Sequence, residues 1–343
     1  MTKVAVALSG GIDSSVTATL LLEKGYEVVG ITGKMFSDEH SEEIVKNAKK
    51  VADNLGIEHF VLDLSEDFFK YVINYFETSY KDGKTPNPCI MCNKYIKWGT
   101  LFDYAIKELN ADFIATGHYA NIKFEDGFYK LYPAIDEKKD QLYFLFQLSQ
   151  EQLSKTLFPL SEYKKAEVKS LAEKYNLPTK SSKESQDICF IKHPMTTKKY
   201  LNNILENKKG DFIEKSSGKI LGHHDGYWQY TIGQRKGIGI AAPEPLYVIE
   251  IDPQTNTVFV GYKEDLYKNK LILSNIQWSY PIDKKEFEAL VKIRYNMNPI
   301  KAFIKIDKEI EIIFNDMISA IAPGQACVIY DIENGSLLGG SFI

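Results

Sequence analysis

The stretch Leu8-Ser9-Gly10-Gly11-Ile12-Asp13-Ser14-Ser15 decides how this chain is read. An apolar run of strand length, Val4 to Leu8, precedes the glycines. Val16 to Lys24 follows with neither Gly nor Pro and stops at Gly25, a residue suited to a helix C-terminus. The pattern predicts a strand, a glycine loop and a helix. Glycines let backbone N–H groups turn inward, a helix start adds partial positive charge, and serines add donors, so the loop suits an anion. It lacks the Lys of a G-x-x-x-x-G-K-[ST] loop and the spacing of G-x-G-x-x-G.

Working outward, residues 1 to about 120 alternate between strand and helix periodicity. Glu27 to Ile31 and Ile57 to Leu62 read as strands. Ser41 to Leu55 reads as a helix, with Ile44, Val45, Ala48, Val51, Ala52 and Leu55 on one face and Ser41 and Glu42 at its start. Asp67 to Tyr80 and Lys97 to Leu109 are further helices, and Asp112 to Thr116 is a buried strand ending in Gly117-His118. This predicts an α/β domain with a parallel sheet, in which ligands sit at the carboxyl ends of strands. The glycine loop and Gly117-His118 both follow strand ends, so they can share a crevice. Lys81 to Lys94 breaks the periodicity and reads as a loop carrying Cys89 and Cys92. Lys180 to Phe190 reads as a second irregular segment, carrying Cys189. A hairpin is expected over Ile122 to Leu131, turning at Asp126-Gly127, and a helix over Tyr163 to Tyr175.

After about residue 205 short strands separated by glycines take over, including Leu246 to Ile251 and Thr257 to Val260. Ala289 to Tyr295, Ile300 to Ile306, Glu309 to Phe314 and Ala326 to Asp331 follow. The expected organisation is an α/β domain over 1–205, a small β-rich domain over 206–268 and a β-barrel over 269–343.

The formal net charge of −4 excludes a generally basic nucleic-acid binder, so RNA would have to meet a local patch. Of 42 Lys plus Arg, only Arg235 and Arg294 are arginine; guanidinium gives bidentate phosphate contacts that lysine does not, which singles them out as RNA-contact candidates. No apolar run reaches membrane-spanning length, and the first strand starts within a few residues of Met1, so a cytoplasmic protein is expected.

Four cysteines, Cys89, Cys92, Cys189 and Cys327, are too few for a disulfide scaffold in a chain of 343 residues and point to metal or redox chemistry. Cys89-x-x-Cys92 with Cys189, and His118 or His193 as a fourth ligand, spells a possible zinc set, although a structural zinc site usually brings two ligand pairs. Redox chemistry matches better: one cysteine carries an extra sulfur and a second thiol releases it by thiol–disulfide exchange. Lys94, Lys97 and helix starts are available to lower a thiol pKa. Cys327, in an apolar strand, reads as a buried hydrophobe.

The glycine loop resembles the S-G-G-x-D-S-S signature of the PP-loop ATP pyrophosphatases, which cut ATP between the α- and β-phosphates. Further motifs follow in order: Thr85-Pro86-Asn87-Pro88-x-x-x-Cys92-Asn93-Lys94, Ala115 to Ala120, Lys139-Asp140-Gln141, Ile188-Cys189-Phe190-Ile191 and Thr231 to Gly237. Together they are similar to the bacterial tRNA-specific 2-thiouridylase family. The resemblance implies ATP contacts at Ala7, Leu8, Ser9, Gly10, Gly11, Ile12, Asp13, Ser14, Ser15, Gly33 and Gly117, with Asp13 orienting the loop or binding Mg²⁺. It also implies adenylation of O2 of a wobble uridine in tRNA, a persulfide on Cys189, and Cys92 as nucleophile forming a transient disulfide with Cys189. A sulfur donor, a cysteine desulfurase or a relay protein, is implied as partner. Asn87, Pro88 and Cys89 would face the target base. His118, Lys139, Asp140, Gln141, Arg294, Tyr295 and Gln325 would touch tRNA. Two positions depart from the family pattern: Cys89 replaces the usual Asp, and Gly33 replaces a Met that covers adenine. Two other readings share parts of the pattern, an ATP-dependent ligase or amidotransferase without sulfur chemistry and a zinc-stapled RNA-binding protein.

Overall fold

The computed structural model describes residues 1–180, 188–192 and 194–343. Its first sheet holds strands β1 (Lys3–Ala7), β2 (Glu27–Lys34), β3 (His59–Asp63), β4 (Phe113–Ala115) and β7 (Thr156–Leu157), all parallel, in the order β3-β2-β1-β4-β7. The direction of winding reverses between β1 and β4, and in such sheets the crevice beyond those strand ends is where ligands bind. The β5 (Asn121–Glu125) and β6 (Phe128–Tyr132) hairpin turns at Asp126 and Gly127, both at positive φ, as the Asp-Gly dipeptide predicts.

Helices α1 (Ile12–Glu23), α2 (Glu39–Leu55), α3 (65–81), α4 (88–108), α5 (Gln150–Ser154) and α6 (Lys165–Lys174) wrap this sheet. Helix α2 starts earlier than its sequence suggests because Asp38, not Ser41, caps it: the Asp38 carboxylate accepts the Ser41 N–H at 2.9 Å. The larger departure is α4. Asn87 caps its start by accepting the Cys89 N–H at 3.2 Å, and Pro88 occupies the first turn, where a missing N–H costs nothing. Cys89 and Cys92 therefore lie on a helix and not on a loop. From Cys92 to Leu101 the helix has π-type turns, and it kinks at Gly99.

Helix α7 (Thr197–Ile204) precedes a second sheet, ordered β10-β11-β8-β9, formed by β8 (Gly210–Glu214), β9 (Ile220–His224), β10 (Tyr247–Asp252) and β11 (Thr257–Gly261). Its core joins Phe212, Val248, Val258 and Val260 to Leu201 of α7 and to Phe76 and Tyr80 of α3. The last sheet is a curled, largely antiparallel half-barrel of β12 (Tyr267–Leu273), β13 (Gln277–Trp278), β14 (Glu286–Lys292), β15 (Ile300–Ile306), β16 (Ile310–Ser319), β17 (Ala326–Asp331) and β18 (Leu337–Phe342). Strand β17 is buried on both faces. Cys327 and Ile329 face the half-barrel interior, and Ala326, Val328 and Tyr330 join the core of the first domain. Tyr143 pins this junction by donating to the Ala326 carbonyl at 2.8 Å.

Candidate functional site

The loop after β1 is built to present backbone donors. Gly10 has φ +70° and lies on α2, where a Cβ would stand 3.0 Å from the Ile44 carbonyl. No side chain caps α1, and the N–H groups of Gly10 and Gly11 have no partner among the described residues. That is the arrangement an anion fits. The serines divide the work. Ser9 is exposed, with its hydroxyl 3.2 Å from that of Ser14. Ser14 and Ser15 are buried and both donate to the Gly11 carbonyl, and Ser15 also accepts from Thr179 at 3.0 Å. The Ser15 side chain thus braces the loop from behind.

Asp13 sits between the two strand ends. A Cβ on Gly117 would lie 2.9 Å from the Asp13 backbone, so only glycine lets the loop after β4 lie against the start of α1. The Asp13 carboxylate receives the Lys165 ammonium at 2.7 Å on each oxygen and the Tyr119 hydroxyl at 3.0 Å. Neither partner stands out in the sequence, apart from a lysine at a helix start, where the dipole disfavours it. Gly33 lies near the end of β2. A Cβ there would meet the Met35 methyl and Leu64 at 2.8 Å each. The Met35 methyl and Leu64 therefore already fill the space that a side chain at position 33 would enter.

Cys89 and Cys189 are exposed and Cys92 is half-buried. Cys92 packs on the main core, while Phe190 anchors the Cys189 turn edge-on to Phe68, Phe76 and Tyr200. Burial pushes the Cys92 thiol up to about 11; Lys97 opposes it, and Cys89 adds to it. The Cys189 thiol is also raised, first by the protein around it and then by Cys92 and Cys89, again against Lys97. Cys89 follows the same direction: the residue as a whole is open to solvent, but the protein packed around its thiol outweighs Lys97. The three thiols and Lys97 therefore share one electrostatic neighbourhood, but the thiols are held protonated, contrary to the lowered pKa that the nearby lysines suggested. Lys94 is elsewhere, 5.2 Å above the Tyr95 ring. Tyr95 stacks on Tyr71 at 4.5 Å, and Lys70 lies 4.8 Å from the Tyr71 centroid. Among the described residues no three His, Cys, Asp or Glu side chains are grouped to hold a metal ion; His193 and residues 181–187 lie outside them.

His118 joins the two halves of the site. Its Nε2 lies 3.2 Å from the Lys97 ammonium and its Nδ1 2.8 Å from the Thr116 hydroxyl. Burial first, and Lys97 second, hold its pKa well below the ordinary value, so the ring is neutral and accepts from Lys97. The side chain is 8% exposed and edged by Trp98 and Phe158. What its ring touches directly is Lys97, Thr116 and the edges of these two aromatic side chains.

The remaining predicted RNA contacts fall into two groups. Arg235 is exposed at the tip of its loop. The others are tied into the protein by hydrogen bonds, two of which, from Tyr295 and Gln325, cross from the half-barrel to the first domain. Gln141 and Tyr119 exchange two bonds, Gln141 N–H to the Tyr119 carbonyl at 2.9 Å and Tyr119 N–H to Gln141 Oε1 at 3.0 Å. Tyr295 donates to the Asp140 carbonyl at 3.2 Å, beside Lys139. Arg294 is half-buried and donates to the Ser319 and Ala320 carbonyls at 2.6 and 2.8 Å. Gln325 donates to the Thr85 carbonyl at 2.8 Å, and the Thr85 N–H donates to Pro323 at 2.8 Å. The guanidinium and the amide thus hold the half-barrel together and against the segment that leads into the cysteine helix. Cys327 is fully buried, as its apolar strand predicts.

Three family models match in succession: a tRNA methyl transferase HUP domain over residues 2–193, a tRNA methyl transferase PRC-barrel domain over 198–262 and an aminomethyltransferase beta-barrel domain over 268–343. The tRNA-specific 2-thiouridylase MnmA of Carboxydothermus hydrogenoformans is 45% identical over 361 residues, covering 99% of this chain and 97% of that protein. The tRNA-specific 2-thiouridylase MnmA of Trichormus variabilis is 41% identical, covering 100% and 99%. A solved U34-tRNA thiolase NcsA from Methanococcus maripaludis with its [4Fe-4S] cluster is 26% identical over 55% of this chain and 60% of that one, with a TM-score of 0.38. With its glycine loop at the sheet's switch point and relatives matched end to end, the chain belongs to the tRNA-specific 2-thiouridylase family.

Proposed function

We propose that this protein is a cytoplasmic, ATP-dependent tRNA-uridine 2-sulfurtransferase that thiolates the wobble uridine of tRNA. One chain of contacts carries the reading: the cysteine helix reaches His118 through Lys97, and the adjacent Gly117 lies against Asp13 of the glycine loop. Phosphate donors and thiols are thereby held on two sides of one segment. The N–H groups of Gly10 and Gly11, without a partner among the described residues, suit the ATP phosphates, and Met35 and Gly33 the adenine; the one Asp13 carboxylate position that Lys165 and Tyr119 leave open would hold a Mg²⁺ ion, whose charge would offset that of phosphate.

In the proposed reaction uridine O2 attacks the α-phosphorus of ATP and pyrophosphate leaves. This converts a poor oxygen leaving group into AMP. The terminal sulfur of a Cys189 persulfide attacks C2, and AMP departs with the O2 electron pair. The Cys92 sulfur then attacks the Cys189 sulfur, forming the disulfide and releasing the thiolated base. A dithiol reductant restores both thiols, and a cysteine desulfurase or relay protein reloads Cys189. Arg235 and the Tyr71–Tyr95 stack, flanked by Lys70 and Lys94, offer a cation and ring faces to RNA.

The test combines the protein, ATP, Mg²⁺, a persulfide donor and unmodified tRNA. Thiolated tRNA is scored by retardation on a mercury-containing gel, and AMP by chromatography. Both products are expected, and Cys189→Ala should lose thiolation while still binding tRNA. AMP without thiolation, or thiolation that survives Cys92→Ser and Cys189→Ser, would overturn the sulfur steps. Neither product, with an active donor, would overturn the whole reading.

A further inference from the structure

Lys165, the partner of Asp13 at the glycine loop, has no part in the steps above, and its placement is unusual. Lys165 is the first residue of α6, where an ammonium opposes the helix dipole. It is not needed as a cap: Glu167 accepts the Lys164 N–H at 2.7 Å and Asp136 accepts the Lys165 N–H at 2.8 Å. Nor is it a loose surface charge, since it is 9% exposed. Helix α6 is fixed on α1 through Val168 and Ala172 against Ile12, Val16 and Leu20, so the ammonium arrives beside the glycine loop on a rigid support. There it meets Asp13 symmetrically, with Tyr119 sharing the carboxylate and placing its ring 5.9 Å from Nζ.

A buried ammonium needs an anionic partner, and phosphate oxygens serve as well as a carboxylate. The glycine loop has no lysine of its own, and its N–H and hydroxyl donors carry only partial charge. Pyrophosphate, by contrast, leaves with several full negative charges. We infer that Lys165 is the pyrophosphate-binding cation of this site, held beside the loop by Asp13 and Tyr119 and donating to the β- and γ-phosphate oxygens of the nucleotide. This rests on the ATP reading above. As the α-phosphorus bonds to the acceptor oxygen, the bond to the β-bridging oxygen breaks and its electron pair goes to the pyrophosphate. The Lys165 ammonium stabilises that charge and keeps its proton.

Calorimetric titration of the full-length protein with magnesium pyrophosphate, and separately with AMP, tests this without turnover. Lys165→Met should weaken pyrophosphate about 10- to 100-fold, the range for a charge-assisted hydrogen bond, and change AMP affinity less than about threefold. Lys165→Arg should recover most of the loss. Pyrophosphate affinity within threefold of wild type in Lys165→Met would overturn the inference. If Lys165→Met does not fold, Asp13→Asn is compared with Asp13→Asn/Lys165→Gln using metal-free pyrophosphate, because the double variant leaves no unpaired charge. A 10-fold or greater loss on adding Lys165→Gln supports the lysine as ligand, and equal affinities overturn it. AMP binding that survives in every variant keeps the nucleotide reading whatever the lysine does. A wild-type protein that binds neither ligand would remove both.

Discussion

Replacing Lys97 by Met should make the cysteine cluster less reactive. Lys97 stands five residues after Cys92 in a π-type stretch, where each hydrogen bond spans five residues, so it falls one turn below the thiol. Its ammonium is the group that lowers all three thiols against burial. With Cys92 raised to about 11 by burial, little of it is thiolate at neutral pH. A neighbouring opposite charge is worth roughly 1–3 pKa units, so its loss should cut the thiolate fraction at fixed pH by about tenfold or more. The assay is iodoacetamide alkylation of Cys92 between pH 7 and 10, followed by peptide mass spectrometry. Lys97→Met should react about tenfold more slowly at pH 8 and shift the pH–rate midpoint upward, whereas Lys97→Arg should stay near wild type. An unchanged midpoint in Lys97→Met would show that the ammonium does not act on the thiol, and the proposed coupling of His118, Lys97 and Cys92 would fall with it.

Three other outcomes are expected. Met35→Ala should weaken ATP binding by about 1–2 kcal/mol through lost apolar cover next to Gly33, with pyrophosphate binding unchanged, and equal ATP affinity would refute the substitution of Met35 for a side chain at position 33. Arg294→Ala should cost about 2–4 kcal/mol in urea unfolding, because its guanidinium holds the Ser319 and Ala320 carbonyls; a loss confined to tRNA binding would contradict this. Burial raises the Asp140 carboxyl to about 6, against the Ala134 and Leu142 N–H groups and Lys292, so it favours the folded state below about pH 4 and that contribution fades as pH rises through 6. Asp140→Asn should therefore gain on wild type between pH 4 and 7 in unfolding measurements, and a flat difference would refute the shift.

Much of the fold is legible in the sequence because its signals are local. Alternating apolar runs, the Ser9-Gly10-Gly11 turn and the Asp126-Gly127 hairpin each act within a few residues, and the strands stand close to where periodicity puts them. The cysteines look like loop residues in the sequence because Asn87 and Pro88, which favour loops, also serve as a helix start. Thiol acidity is not legible in the sequence, because lysines can be counted there and burial cannot. Only the positions of the core and of Lys97 show that burial wins at Cys92.

The sequence by itself determined the chemical inventory: a loop of donors for an anion, cysteines at 89, 92 and 189, and the order of strands and helices. The tertiary structure decided which of these groups meet and in what state. It paired Asp13 with Lys165 from 152 residues away, turned His118 inward to hold Lys97, used Arg294 to tie the half-barrel to itself and Gln325 to clamp it to the segment before the cysteine helix. The physical reason is range. Backbone propensity is set by neighbours along the chain, whereas charge pairing and desolvation depend on every element that packs against a group.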